Sequence, residues 1–67
     1  MVRRSQGREV TPKRGDLVEV PADAGIGTGM VLSTVWSHAS GGYLVCTQFG
    51  DETLPRWYHE AELEVTG

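Results

Sequence analysis

The chain has one cysteine, Cys46, in 67 residues, so no disulfide can form within it. A lone cysteine fits a reducing compartment better than a secreted, disulfide-stapled scaffold, and a cytoplasmic setting is expected. Long apolar runs are missing as well: none approaches the ~20 residues a membrane helix needs. The opening stretch MVRRSQGREV is basic with no apolar segment behind it, which is not the pattern of a secretory signal. No window of helix length repeats its apolar residues at the 3.6-residue period, so a helical fold is not expected. Aromatic residues are few, with two Trp, two Tyr and one Phe. Metal-ligating residues are scarcer still. His38, Cys46 and His59 show none of the paired spacings of zinc sites, and no metal is expected.

What the chain does have is an uneven charge distribution. The net charge of −3 splits into a basic start and an acidic remainder. Arg3, Arg4, Arg8, Lys13 and Arg14 against Glu9 give residues 1–14 a charge of +4. Beyond them Arg56 stands alone against Asp16, Glu19, Asp23, Asp51, Glu52, Glu60, Glu62 and Glu64, a charge of −7. Residues 1–14 carry no apolar periodicity and read as a mobile, disordered basic N-terminal arm. Residues 15–67 read as one domain. Such a small domain buries only about 60% of its unfolded surface, so self-association into a dimer or tetramer is expected to support it.

Short β-rich runs follow one another from Gly15. They are GDLVEV (15–20), GMVLSTVW (29–36), YLVCTQF (43–49), TLPRWYH (53–59) and LEV (63–65). In the third run Tyr43, Val45, Thr47 and Phe49 alternate with Leu44, Cys46 and Gln48, which puts the two sets on opposite faces. SHASGG (37–42) and GDE (50–52) are turns, Pro55 marks an edge strand or a strand start, and EAEL (60–63) suits a single helical turn. Five short strands at close spacing indicate an all-β fold, a single small five-stranded SH3-like barrel. Cys46, mid-strand, is expected to be a small buried hydrophobe.

The glycines of AGIGTG (24–29) invite comparison with phosphate-binding loops. Such a loop needs a helix after it, and the run that follows here is a strand. The stretch therefore reads as a hairpin connection whose glycines take positive φ.

Leu54-Pro55-Arg56-Trp57-Tyr58-His59 holds the acidic part's only Lys or Arg between aromatic residues. Alternation puts Arg56 with Tyr58 on one face and Trp57 with His59 on the other. In the plainer arrangement Trp57 fills the core and Arg56 pairs with a nearby carboxylate. In the other, Arg56, Trp57 and Tyr58 form a contact surface, because Trp, Tyr and Arg dominate interaction hot spots. The first is the simpler expectation for Trp57, and the two stand level for Arg56 and Tyr58. Trp36, at a strand end, is either a platform or a lid. The functional expectation is a non-enzymatic binding or assembly module with no cofactor, using Arg56, Trp57, Tyr58 and Trp36 toward a protein or a small anionic ligand. A third reading, nucleic-acid binding, would run through the arm alone, since the acidic body repels phosphates.

The order and spacing of GDLVEV, GMV, GYLV and WYHEAELE resemble the type II dihydrofolate reductases of plasmids and integron cassettes. That resemblance implies an SH3-like barrel behind a disordered arm, four chains round a shared pore, and NADPH as cofactor. The family's Val-Gln-Ile-Tyr segment corresponds to Pro55-Arg56-Trp57-Tyr58, where only Tyr58 matches, and its pore lysine falls near Val20. An enzyme of this kind works largely by positioning two substrates together. LVCTQFGD followed by YHEAEL is also similar to the C-terminal half of the uncharacterised YodC-like family, which implies the same fold.

Overall fold

The computed structural model describes residues 11–66. Five strands form one antiparallel sheet: β1 (Leu17–Glu19), β2 (Gly29–Ser37), β3 (Gly42–Phe49), β4 (Arg56–His59) and β5 (Glu64–Val65). Their order is β4-β3-β2-β1-β5. The all-β expectation holds, and so does the placement of each strand to within a few residues.

Closure into a barrel does not follow. β4 and β5 are the two edges of the sheet, with no ladder joining them. The reason is local. β5 has two residues and β4 has four, a 3₁₀ turn (Glu60–Glu62) lies between them, and Pro55 has no N–H to give. Too few backbone groups are left to seam the gap.

The β2–β3 hairpin dominates the sheet. Its register runs from Gly29↔Phe49 to Ser37↔Gly42, with a shift between Val31 and Ser33. Leu32 is the extra residue of this bulge, and it changes which parity of β2 faces inward: Gly29 and Val31 before it, Thr34 and Trp36 after it. The opposite strand keeps one parity throughout. Val45, Thr47 and Phe49 all lie on the buried side, as their alternation predicts.

Val18, Val31 and Val45 form the centre of the core, with Leu63 and Val65 packed against it. Cys46 is buried too, although its parity is outward. Thr47 is fully buried, and its hydroxyl has no hydrogen-bond partner.

Most of the basic arm lies outside the described residues. Within them, Pro12 is buried, and Lys13 makes a turn whose backbone N–H donates to Asp16 Oδ2 at 3.0 Å. The Gly15 N–H donates to the Val31 carbonyl at 2.9 Å. Fixed structure therefore begins before Gly15, and residues 11–14 are held against the sheet rather than belonging to a mobile arm.

Candidate functional site

Two of the three glycines of AGIGTG have a structural task, and the segment lacks the helix that a phosphate-binding loop needs. The connection from β1 is a 3₁₀ segment (Pro21–Ile26), and β2 follows it, so no helix of useful length offers an N-terminus. Gly27 takes φ +84°, the left-handed region that glycine adopts without penalty. Gly25 has open space around it and an unexceptional φ. Gly29 serves packing instead: a Cβ there would stand 2.7 Å from Phe49 Cε1 and from Thr47 Cγ2. Positive φ therefore explains one glycine of the three.

β4 carries the residues singled out in the sequence. Its register sets Arg56 opposite Thr47, Trp57 opposite Cys46, Tyr58 opposite Val45 and His59 opposite Leu44. Arg56 and Tyr58 thus share the inward parity, and Trp57 and His59 the outward one. Trp57 is 54% exposed. The expectation that it fills the core is overturned, because the core side of β4 belongs to its neighbours in sequence. Tyr58 is half-buried and meets Phe49 edge-on, with ring centroids 6.1 Å apart.

Arg56 is already partnered. Its Nε and Nη2 donate to the two carboxylate oxygens of Glu52, each at 2.8 Å, a bidentate fork across the β3–β4 turn. The Glu52 hydrogen bond, with a smaller contribution from Tyr58, raises the guanidinium above its ordinary pKa. Reciprocally, the bond to Arg56 lowers the Glu52 carboxylate. The turn is fastened again by Gln48, whose amide nitrogen donates to the Glu52 carbonyl at 2.6 Å. In solvent, such a fork shapes a loop more than it stabilises a fold.

Trp36 sits at the far end of the hairpin, 49% exposed. It stacks edge-on with Tyr43 at 5.2 Å and with His38 at 6.0 Å. Its parity is inward, so it belongs to a different face from Trp57. The structure therefore does not bring the four candidates to one surface. Arg56 and Tyr58 lie at the open edge, Trp36 at the hairpin end and Trp57 on the outward face.

His59 caps the 3₁₀ turn that follows it. Its Nδ1 accepts from the Ala61 N–H at 3.0 Å, while its own N–H donates to Glu62 Oε1 at 2.8 Å, a reciprocal capping box. Glu60 reaches across to accept from the Tyr43 N–H at 2.8 Å. Gly42 makes the room, since a Cβ there would stand 2.8 Å from Glu60 Oε2 and from His59 Nε2. These groups tie the turn to β3. Among the described residues no three of His, Cys, Asp and Glu converge in a way that could hold a metal ion. Nor is any helix there long and apolar enough to cross a membrane.

Sequence reasoning missed Met30, Val35 and Leu44. They share the outward parity of Trp57, and Met30 and Val35 are among the exposed large apolar residues. Their signal was available in β3, where Leu44 and Cys46 make the outward set as apolar as the inward one. No protein-family model, curated protein or solved structure matches the chain.

Proposed function

We propose that this chain is a non-enzymatic contact module that works by association, beginning with its own copies. The observation that carries this reading is an inversion of the usual balance between inside and outside. Among the described residues six hydrophobic residues besides Pro12 are buried, Val18, Val20, Val31, Val45, Cys46 and Phe49. Seven large ones there are exposed: Leu17, Met30, Leu32, Val35, Trp36, Leu54 and Trp57. Scattered exposed leucines are ordinary, but a surface this rich on so small a core marks contact with another surface. The core is also slight for independent stability, and association supplies the missing burial.

Trp57 is the aromatic anchor of this self-association, and Trp36, on the other face, stands outside it. Tyr58 supports β4 from the inward side, and Arg56 holds the loop beside it. A small anionic ligand would need the Arg56 guanidinium. The Glu52 carboxylate occupies its fork instead, and residues 15–67 contain no other Lys or Arg. A cytoplasmic location fits a module with a single free thiol.

Light scattering coupled to size separation, from about 1 μM to about 1 mM protein, tests the reading. A mass that rises from that of one chain to a multiple of it is expected. A single-chain mass throughout would remove self-association from the account.

A further inference from the structure

The ladder registers collect three adjoining rows of side chains on the outward face. Ser33, Cys46 and Trp57 stand opposite one another across β2, β3 and β4, and Val35, Leu44 and His59 form the next row. Met30 and Gln48 continue it on the other side, with Leu17 of β1 beside Met30. Opposed side chains in such rows lie about 5 Å apart and diagonal ones about 7–8 Å, so these form a single patch. Of the eight residues on β2, β3 and β4, Met30, Val35, Leu44, Cys46 and Trp57 are apolar, and none of the eight is Lys, Arg, Asp or Glu. An antiparallel sheet with one face in water normally alternates apolar-in with polar-out. This one is apolar on both faces.

We propose that the outward face of β2, β3 and β4 is the surface on which a second copy of this chain packs, two-fold, with Trp57 near its centre. The proposal rests on the self-association reading and names its face. Two observations commit the occupant to a second copy. First, the patch asks for no charged complement, and an isologous contact between two such patches satisfies both at once. Charge depletion with Trp and Met enrichment is also the composition of an interface core. Second, six of the eight acidic residues of 15–67 lie in the elements that flank the patch: Glu19 and Glu64 at the β1–β5 end, Asp51 and Glu52 at one turn, Glu60 and Glu62 at the other. Two bodies of charge −7 meeting elsewhere would set carboxylates against carboxylates, whereas the neutral patch avoids this. The same chain carries the opposite charge in residues 1–14, including the exposed Lys13 and Arg14, so each copy offers the cations that the other's acidic rim attracts.

Sedimentation equilibrium on the full chain and three variants tests the assignment. Trp57→Lys and Val35→Lys each place a charge in the patch at a residue more than half exposed, where the fold loses little. Each is expected to raise the dimer dissociation constant roughly 30-fold or more, as loss of a hot spot does. Trp36→Lys, on the other face, is expected to leave it within about threefold. A thermal transition on each variant verifies that it is folded. If the wild-type chain dimerises and both patch variants dimerise as tightly, the face assignment is overturned while the module reading stands. If the wild-type chain is a monomer at every concentration, both fall together.

Discussion

Gly29→Ala is the sharpest test of how this sequence packs its core. The new methyl carbon would stand 2.7 Å from Phe49 Cε1, 2.7 Å from Thr47 Cγ2 and 2.8 Å from Phe49 Cδ1. Carbon atoms in contact prefer about 3.5–4.0 Å, so three contacts are too close by about 0.7 Å or more. Neither neighbour can yield cheaply, because Phe49, directly opposite Gly29, and Thr47, opposite Val31, are both buried. Overpacking of this kind costs about 1–3 kcal/mol. Against it stands the ~0.4–1 kcal/mol that alanine contributes by restricting the unfolded chain. The net expectation is a loss of about 1–2 kcal/mol, or roughly 5–15 °C in Tm for a domain this size. Calorimetry or circular dichroism reads it, with all proteins at one concentration because association shifts Tm. Gly25→Ala is the matched control, with nothing within 4 Å of its Cβ, and should melt with the wild type or slightly above it. Adding Phe49→Leu to Gly29→Ala should recover part of the loss relative to the sum of the single changes. A Gly29→Ala chain as stable as the wild type would refute the packing argument.

Two further outcomes follow from polar groups. Thr47→Val removes a fully buried hydroxyl that has no partner and keeps the shape, so stability should rise by about 1 kcal/mol in a denaturant titration. Glu52→Gln and Arg56→Ala break an exposed fork and should leave the Tm near neutral pH almost unchanged, with whatever difference exists shrinking in salt. The Glu52 carboxylate is lowered from an ordinary value of 4.5, so its contribution is present above that value and is lost as pH falls through the lower folded one. The wild type and Glu52→Gln should therefore converge at the acid end of a pH–stability series.

The strands were legible because their residues announce them. Period-two alternation in YLVCTQF put Val45, Thr47 and Phe49 on one face, which the structure buries, and Pro55 marked an edge strand or a strand start. HEAE carries its own cap, with His59 at the N-cap and Glu62 at the third helical position. The orientation of Trp57 was not legible. β4 is four residues long with aromatics at neighbouring positions, so either parity could have claimed the core. The decision comes from β3, whose Val45 and Thr47 draw Tyr58 and Arg56 to the inward side. The bulge at Leu32 hid the outward patch in a similar way. It switches the parity of β2, so Met30 and Val35 share a face although they are an odd number of residues apart. The open edge between β4 and β5 depends on strand lengths that composition does not state. The Glu52 partner of Arg56 is set by the conformation of the turn, and only the excess of carboxylates hinted at it.

The central claim is that this chain works by association through its outward sheet face, and native mass across a dilution series tests it most directly. Starting near 1 mM and diluting toward 1 μM, about the range in which modest interfaces dissociate, the account predicts a multiple of the 7.3 kDa chain that falls to a single chain on dilution. It also predicts that Trp57→Lys moves this transition to far higher concentration. A 7.3 kDa species at every concentration would contradict the account.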